Sequence, residues 1–304
     1  MKTPLTLASS NRPACSTSTV AGMTEHTPKS EGPGSDVPYE QVALGQDRPH
    51  SARLYDYFLG GKTNYAVDRD AARDLMRVLP AIETVARVNR AYMRRAVRYA
   101  ARQGVRQFLD LGTGFPDSPH LHEVAQDVAR DCRVVYADTD PIVLVYGDEL
   151  LDSTPEGRTC VMKADVTRPE EVLAAVAEQD VLDLGRPVAV SLHAVLHLVL
   201  DTERPHDAVS RLLEQLAPGS YLSVSHCTAD LAPDMWRAVI DVCARHGIVA
   251  QPRRRSQIRR FFAGLQLVEP GVVPAHRWRP EAGSGPGIFS NEQVCLYAGM
   301  ARKT

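Results

Sequence analysis

Residues 108–117 read FLDLGTGFPD, and the fold turns on this decamer. Phe108, Leu109 and Leu111 form a short apolar run of the kind a buried strand carries. Asp110 closes that strand, and Gly112 and Gly114 follow at once. Glycine has no Cβ, so the chain can turn sharply there and a ligand can lie against the backbone. A helix is expected just beyond, near Leu121, with its free N–H groups facing the turn. A strand, a glycine turn and a helix in this order form the edge of a nucleotide-type site.

A dinucleotide fingerprint would place a third glycine at position 117. Asp117 stands there behind Pro116, so the pyrophosphate-cradling form is a poor match. Asp110, two residues before the first glycine, instead suits a ligand with a cationic amine, such as S-adenosylmethionine. A tight turn of any α/β protein is the plainer alternative. The next segments bear on that choice. RVVYADTDP (133–141) reads as a second strand ending in Asp138, with Asp140 as N-cap and Pro141 as first residue of a helix. A carboxylate closing the second strand can accept hydrogen bonds from both hydroxyls of a ribose. Asp138 lies 24 residues after Gly114, near the spacing of about 20 expected for that role. CVMKADVT (160–167) adds a third strand ending in Asp165, placed to accept a bond from an adenine amine. Each aspartate alone could be a strand-end or cap residue, but three in order argue for a shared ligand. Thr113, Thr139 and Val166 flank them and are taken as cofactor contacts with them.

Five segments carry a wider resemblance: PHSARLYDYFLGGKTNYAVDRDAA (49–72), VNRAYMRRAVRYAARQGVRQFLDLGTGFPDSPHLHEVAQ (88–126), VVYADTDPIVLVY (134–146), RPVAVSLHAVLHLVLD (186–201) and FFAGLQLVEPGVV (261–273). With them the chain resembles the class I S-adenosylmethionine-dependent methyltransferases. More narrowly it is similar to an actinobacterial family, the S-adenosyl methyltransferases, whose substrates are largely unassigned. The YDYFLGGKTNY block is specific to that family; the glycine motif alone is not. The resemblance implies S-adenosyl-L-methionine as cofactor and a Rossmann-like class I methyltransferase fold. That fold is a mostly parallel seven-stranded sheet with helices on both faces, an antiparallel last strand and an added N-terminal helical lid. Pro116 departs from the wider class, where a third glycine often sits; the narrower family tolerates it.

The chain divides into three parts. Residues 1–47, rich in Ser, Thr, Pro and Gly, are expected to be disordered, and Met23 is an alternative start to Met1. Residues 48–105 have helical spacing broken at Pro80 and are assigned to the lid. Residues 106–304 form the cofactor-binding core. Strands are expected at 106–111, 133–138, 159–163, 187–193 and 219–226, with a helix at 204–217 ending before Pro218-Gly219. LVEPGVV and VCLYAGM can pair as the last two strands.

In the lid, Tyr55, Tyr57 and Phe58 stand beside Gly60 and Gly61, followed by Lys62, Asn64 and Tyr65. One account is a lid over the cofactor, with Tyr57, Gly60 and Gly61 against it and Tyr55, Asn64 and Tyr65 toward the acceptor. The other is a helix C-cap with aromatics packed below it. Arg53 and Arg90 are candidates for the methionyl carboxylate. His193 and His197, four residues apart, could share a helical face after the fourth strand and take a proton from an acceptor. His226 at the end of the fifth strand is a third candidate. No HExxH pattern or third ligand accompanies the two histidines, so no metal is expected.

The 304 residues carry a net charge of −2, which gives no case for a polyanion partner. Arg253, Arg254, Arg255, Arg259 and Arg260 make a local basic patch, read as a solvated helix start because no aromatics are interleaved for base stacking. The six cysteines form no CxxC pair, and several, in apolar strand or helix contexts, read as reduced core residues. No apolar run reaches membrane-spanning length and no secretory signal is evident, so a cytoplasmic protein is expected. The resulting expectation is methyl transfer to oxygen, nitrogen or carbon of a small molecule in specialised metabolism. A nucleic-acid or protein methyltransferase and a non-catalytic cofactor-binding regulator are the alternatives. Membranes and nucleic acid are not expected partners, and homodimerisation is left open.

Overall fold

Alternating strands and helices form along the chain because short apolar runs are separated by capped amphipathic stretches. A computed structural model describes residues 45–281 and 289–304. Of the tail assigned to residues 1–47, residues 1–44 lie outside the described residues. Three helices come first: α1 (Ser51–Leu59), α2 (Ala66–Val78) and α3 (Ile82–Arg102). The alternation follows as β1 (Gln107–Leu111), α4 (Leu121–Gln126), β2 (Arg133–Asp138), α5 (Pro141–Leu150), β3 (Arg158–Lys163), α6 (Pro169–Gln179), β4 (Val188–His193), α7 (Pro205–Glu214), β5 (Tyr221–Cys227), α8 (Pro233–Arg245) and α9 (Arg255–Arg260). The chain ends in β6 (Gln266–Leu267), β7 (Val273–Pro274), α10 (Asn291–Val294) and β8 (Leu296–Arg302).

β1 to β5 run parallel, and β8 lies antiparallel beside β5. The sheet order is β3-β2-β1-β4-β5-β8-β6, with β7 also on β8. β6 pairs with Ala301 and Arg302, and β7 with Tyr297 and Ala298. Two short strands thus share the seventh position that the sequence assigned to one. The break falls at Pro270, which lacks an N–H for the ladder. Every residue of β1 is buried, as a parallel strand covered on both faces requires. Phe108 packs on one face with Tyr92, Ala96 and Ala100 of α3.

The cap and the sheet layer divide inside the segment 48–105. α3 packs on β4, β5 and β8, whereas α1 and α2 pack on each other and α2 packs on α8. Gly60 sits at φ +86° as the C-cap of α1. A Cβ at Gly61 would fall 2.0 Å from Asp56 Oδ1. The glycine pair therefore ends a helix, the alternative weighed against a ligand-facing lid turn.

The start of the cap is pinned by a buried ion pair. Arg53 Nε lies 3.2 Å from both Asp68 carboxylate oxygens, and its Nη2 donates to the carbonyls of Gly45 and Arg48 at 2.9 and 2.8 Å. Asp68 also accepts the N–H groups of His50 and Tyr65. At 1% exposure Arg53 cannot serve as the carboxylate ligand suggested by sequence. Arg253 is equally buried. It donates to the Leu196 and Val199 carbonyls, to Asp201 Oδ1 and to His226 Nε2. It is an internal strut, not part of a solvated basic patch. Truncating one partner of a buried ion pair strands the other, so Arg53→Met should cost about 3–5 kcal/mol in chemical denaturation. Arg53→Lys should recover little, because a point charge cannot serve Asp68 and two carbonyls together.

Candidate active site

A cavity of about 430 Å3 opens at the carboxyl ends of the parallel strands, where open α/β sheets bind ligands. Its floor is the turn after β1. Gly112 and Gly114 hold φ of +72° and +65°. A Cβ at Gly112 would fall 2.3 Å from Val195 Cγ2, so glycine alone fits between this turn and the chain after β4. The Gly112 and Thr113 amides donate to Ala137 O at 2.8 and 3.1 Å. A Cβ at Gly114 would meet nothing within 4 Å, so backbone faces open space there.

Asp110, Asp138 and Asp165 all line this cavity, as do Thr113, Thr139 and Val166. Burial pushes the Asp110 carboxyl up to about 6; the Thr113 hydroxyl and Arg90 oppose that rise and Asp138 adds to it. Asp138 is heavily engaged already. Its Oδ2 accepts the Gly114 N–H at 2.9 Å, and its Oδ1 accepts the N–H groups of Thr139 and Asp140 at 2.8 and 3.0 Å. Asp165 Oδ1 accepts the N–H and hydroxyl of Thr167 at 2.8 and 2.7 Å. Asp140 caps α5 by accepting the Ile142 N–H, with Pro141 following as read from sequence.

Arg90 reaches the cavity from α3 and is held by Asp117, whose Oδ2 accepts from its Nε at 3.0 Å. Tyr55 also lines it, donating to Ala86 O and accepting from Asn89 Nδ2. The other cap candidates do not line it. Tyr57 packs edge-on against Phe58. Asn64 donates to Asp56 and the Gly61 carbonyl, Tyr65 lies beneath the Arg53 guanidinium, and Gly60 and Gly61 form the helix cap between them.

The histidines separate. β4 ends at His193, and Ala194 turns left-handed at φ +58°, so His193 and His197 share no helix. Both nevertheless line the cavity. His226 does not; its Nε2 accepts from Arg253 and its Nδ1 donates to Cys227 O, which fits a structural role. Burial lowers His193 to about 3, with nearby Arg90 adding to it, and His197 to about 4, with Arg253 adding. The hydrogen bonds around His193 fix its tautomer. Tyr92 must give its proton to Gly299 O at 2.6 Å, since a carbonyl only accepts. Ser223 therefore donates to Tyr92 and accepts from His193 Nε2 at 2.8 Å. The proton sits on Nε2, and the buried Nδ1 is left without a protein partner.

Sequence reading missed three contributors. Asn89 is a buried polar residue on the apolar stripe of α3, a signal that was present. His50, the N-cap of α1, lines the cavity with Nδ1 3.0 Å from Asp140 Oδ2. Ser223 gave no sign in an otherwise ordinary strand.

Residues 39–304 match the model of the S-adenosyl methyltransferase family. The chain belongs to that family. A DUF574-family protein from Streptomyces avermitilis is 45% identical, with a TM-score of 0.82 over 86% of this chain and all of that one. A candidate methyltransferase from Thermobifida fusca is 35% identical, with a TM-score of 0.79 over 88% of this chain and 99% of that one. No curated protein matches. This family member is a methyltransferase that uses S-adenosylmethionine. The site fits that molecule: an open glycine backbone, a carboxyl raised by burial, and two further acidic groups in one cavity. Among the described residues no helix is long and apolar enough to cross a membrane.

Two outcomes follow from the aspartates. Asp138→Ala strands three backbone N–H groups and removes a carboxylate from the cavity lining. An unsatisfied buried donor costs about 1–3 kcal/mol, so S-adenosylhomocysteine affinity in calorimetry should fall at least about tenfold and thermal stability should drop with it. For Asp110 the folded carboxyl binds its proton more tightly than the unfolded one. The stability this contributes is present below pH about 4 and lost as pH rises through 6. An ammonium group beside Asp110 needs the ionised form. S-adenosylmethionine affinity should therefore rise from pH 5 toward 7 and level off above it, and Asp110→Asn should bind weakly with no such slope.

Proposed function

We propose that this enzyme transfers the methyl group to a small molecule held in the same cavity as the cofactor, consistent with a role in specialised metabolism. The observation that carries the reading is the continuity of one cavity. Its acidic end holds Asp110, Asp138 and Asp165, and its other end is walled by apolar side chains of the cap and α8. In this reading Asp110 and Arg90 take the amino and carboxylate groups of the methionyl end. Asp138, with His50 beside Asp140, takes the ribose, and Asp165 takes the adenine amine through Oδ2.

The cofactor supplies an electrophilic methyl group on a sulfonium. The chain supplies alignment, which can contribute roughly 7–11 kcal/mol, and a proton acceptor. His193 stands at the end of β4 with Nδ1 bare and Nε2–H committed to Ser223. It receives the proton that the acceptor loses. Tyr92 and Ser223 position it by fixing which nitrogen is free.

The test uses methyl-labelled S-adenosylmethionine and Streptomyces cell extract, separated into a low-mass filtrate, protein and nucleic acid. Label should enter the filtrate. Label in protein or nucleic acid would overturn the small-molecule reading, and cofactor binding without transfer to any fraction would favour a regulator. His193→Phe should lower transfer by about 100-fold, at the low end of the roughly 10²–10⁴ given by a positioned base. Its affinity for S-adenosylhomocysteine should stay within threefold of the parent.

A further inference from the structure

The ionisable side chains that line the cavity are unevenly placed. Arg90, Asp110, Asp138 and Asp165 gather around the glycine turn. Glu203 is exposed and its carboxylate caps the Leu200 N–H. The region between α1, α2 and α8 is walled by Leu75, Leu79, Trp236, Val239, Cys243 and Ile248. Burial pushes the Cys243 thiol up to about 11, so that wall is neutral as well. Val249, 37% exposed, continues the apolar lining to the solvent edge.

We propose that the methyl acceptor is an uncharged, predominantly apolar small molecule that presents a hydroxyl group, seated between α1, α2 and α8 with the hydroxyl toward His193. This rests on the preceding assignment of the acidic end to the methyl donor. A charged acceptor would lose its hydration in this lobe and meet no counter-ion there. The cavity, about 430 Å3, lies in the size range of small-molecule sites.

The hydroxyl is matched to His193, which lines the cavity with Nε2 committed to Ser223 and Nδ1 bare to accept a proton. The acceptor oxygen forms a bond to the methyl carbon while the S–CH3 bond breaks, its electron pair returning to sulfur to leave a thioether. The oxygen then carries both the methyl and its original proton. A protonated ether is a far stronger acid than any imidazolium, so the bare Nδ1 of His193 takes this proton.

Calorimetry of wild-type protein saturated with S-adenosylhomocysteine, at pH 7.5, tests the proposal with two probes. 2-Naphthol is neutral and carries one hydroxyl; 6-hydroxy-2-naphthoate adds a carboxylate to the same frame. The naphthol should bind at least tenfold more tightly. Val239→Trp, which fills the lobe, should abolish naphthol binding and keep the cofactor-product affinity within twofold. Equal or tighter binding of the naphthoate, or no binding of naphthol up to its solubility, overturns the proposal. So does naphthol binding that survives in Val239→Trp. If that variant also loses the cofactor product through misfolding, the ratio of the two probes on the wild type decides alone. Failure of the wild type to bind S-adenosylhomocysteine would instead bring down the donor assignment on which the proposal rests.

Discussion

The carboxylate of Asp138 ties together the pieces on which the site depends. It joins the end of β2 to the Gly114 amide and to the amides of Thr139 and Asp140. The Gly112 and Thr113 amides are in turn held by Ala137 O, the residue before it. Turns carry backbone donors that sheet and helix do not satisfy, and burying them unpaired is costly. Asp138 removes that cost where the turn borders the cavity. The same carboxylate also lines the cavity, so deleting it disturbs the turn together with the lining.

Buried charge does similar work farther out. Arg53 and Asp68 join the first turns of α1 and α2, while Arg253 fastens residues 196–201 to the end of β5. Each guanidinium presents several donors in a fixed plane, which lets one side chain satisfy carbonyls from a loop that has no strand to pair with. Each strut stands beside residues that line the cavity, Ala52 and Leu54 near Arg53 and Leu198 and Val199 near Arg253. They also explain why two arginines that looked available for ligands or polyanions are not.

His193, His197 and His226 show how far environment outruns residue type. All three are neutralised by burial. His226 is fully engaged by Arg253 and Cys227, while His193 is oriented by Ser223 and keeps one bare nitrogen. The difference comes from partners on α3, β5 and the segment before α9, all distant in sequence.

The sequence by itself determined the alternation of β1 to β5 with helices, the glycine turn and the acidic residue at or just past the end of each of the first three strands. These are local signals: an apolar run of strand length, glycines where φ is positive, an N-cap and a proline at the first helical position. The YDYFLGGKTNY block announced the family, but it did not say which of its side chains reach the cavity. Tyr55 does, whereas Tyr57 packs within α1 and Gly60, Gly61, Asn64 and Tyr65 build the α1–α2 connection. Only the tertiary structure decided the fate of Arg53, the separation of His193 from His197 by left-handed Ala194, and the split of the last sheet position at Pro270. It also brought His50 to Asp140 and Ser223 to His193. The physical reason is range: a turn or a strand is fixed by neighbours in the chain, but the direction of a long polar side chain is fixed by whichever distant acceptor is buried beside it.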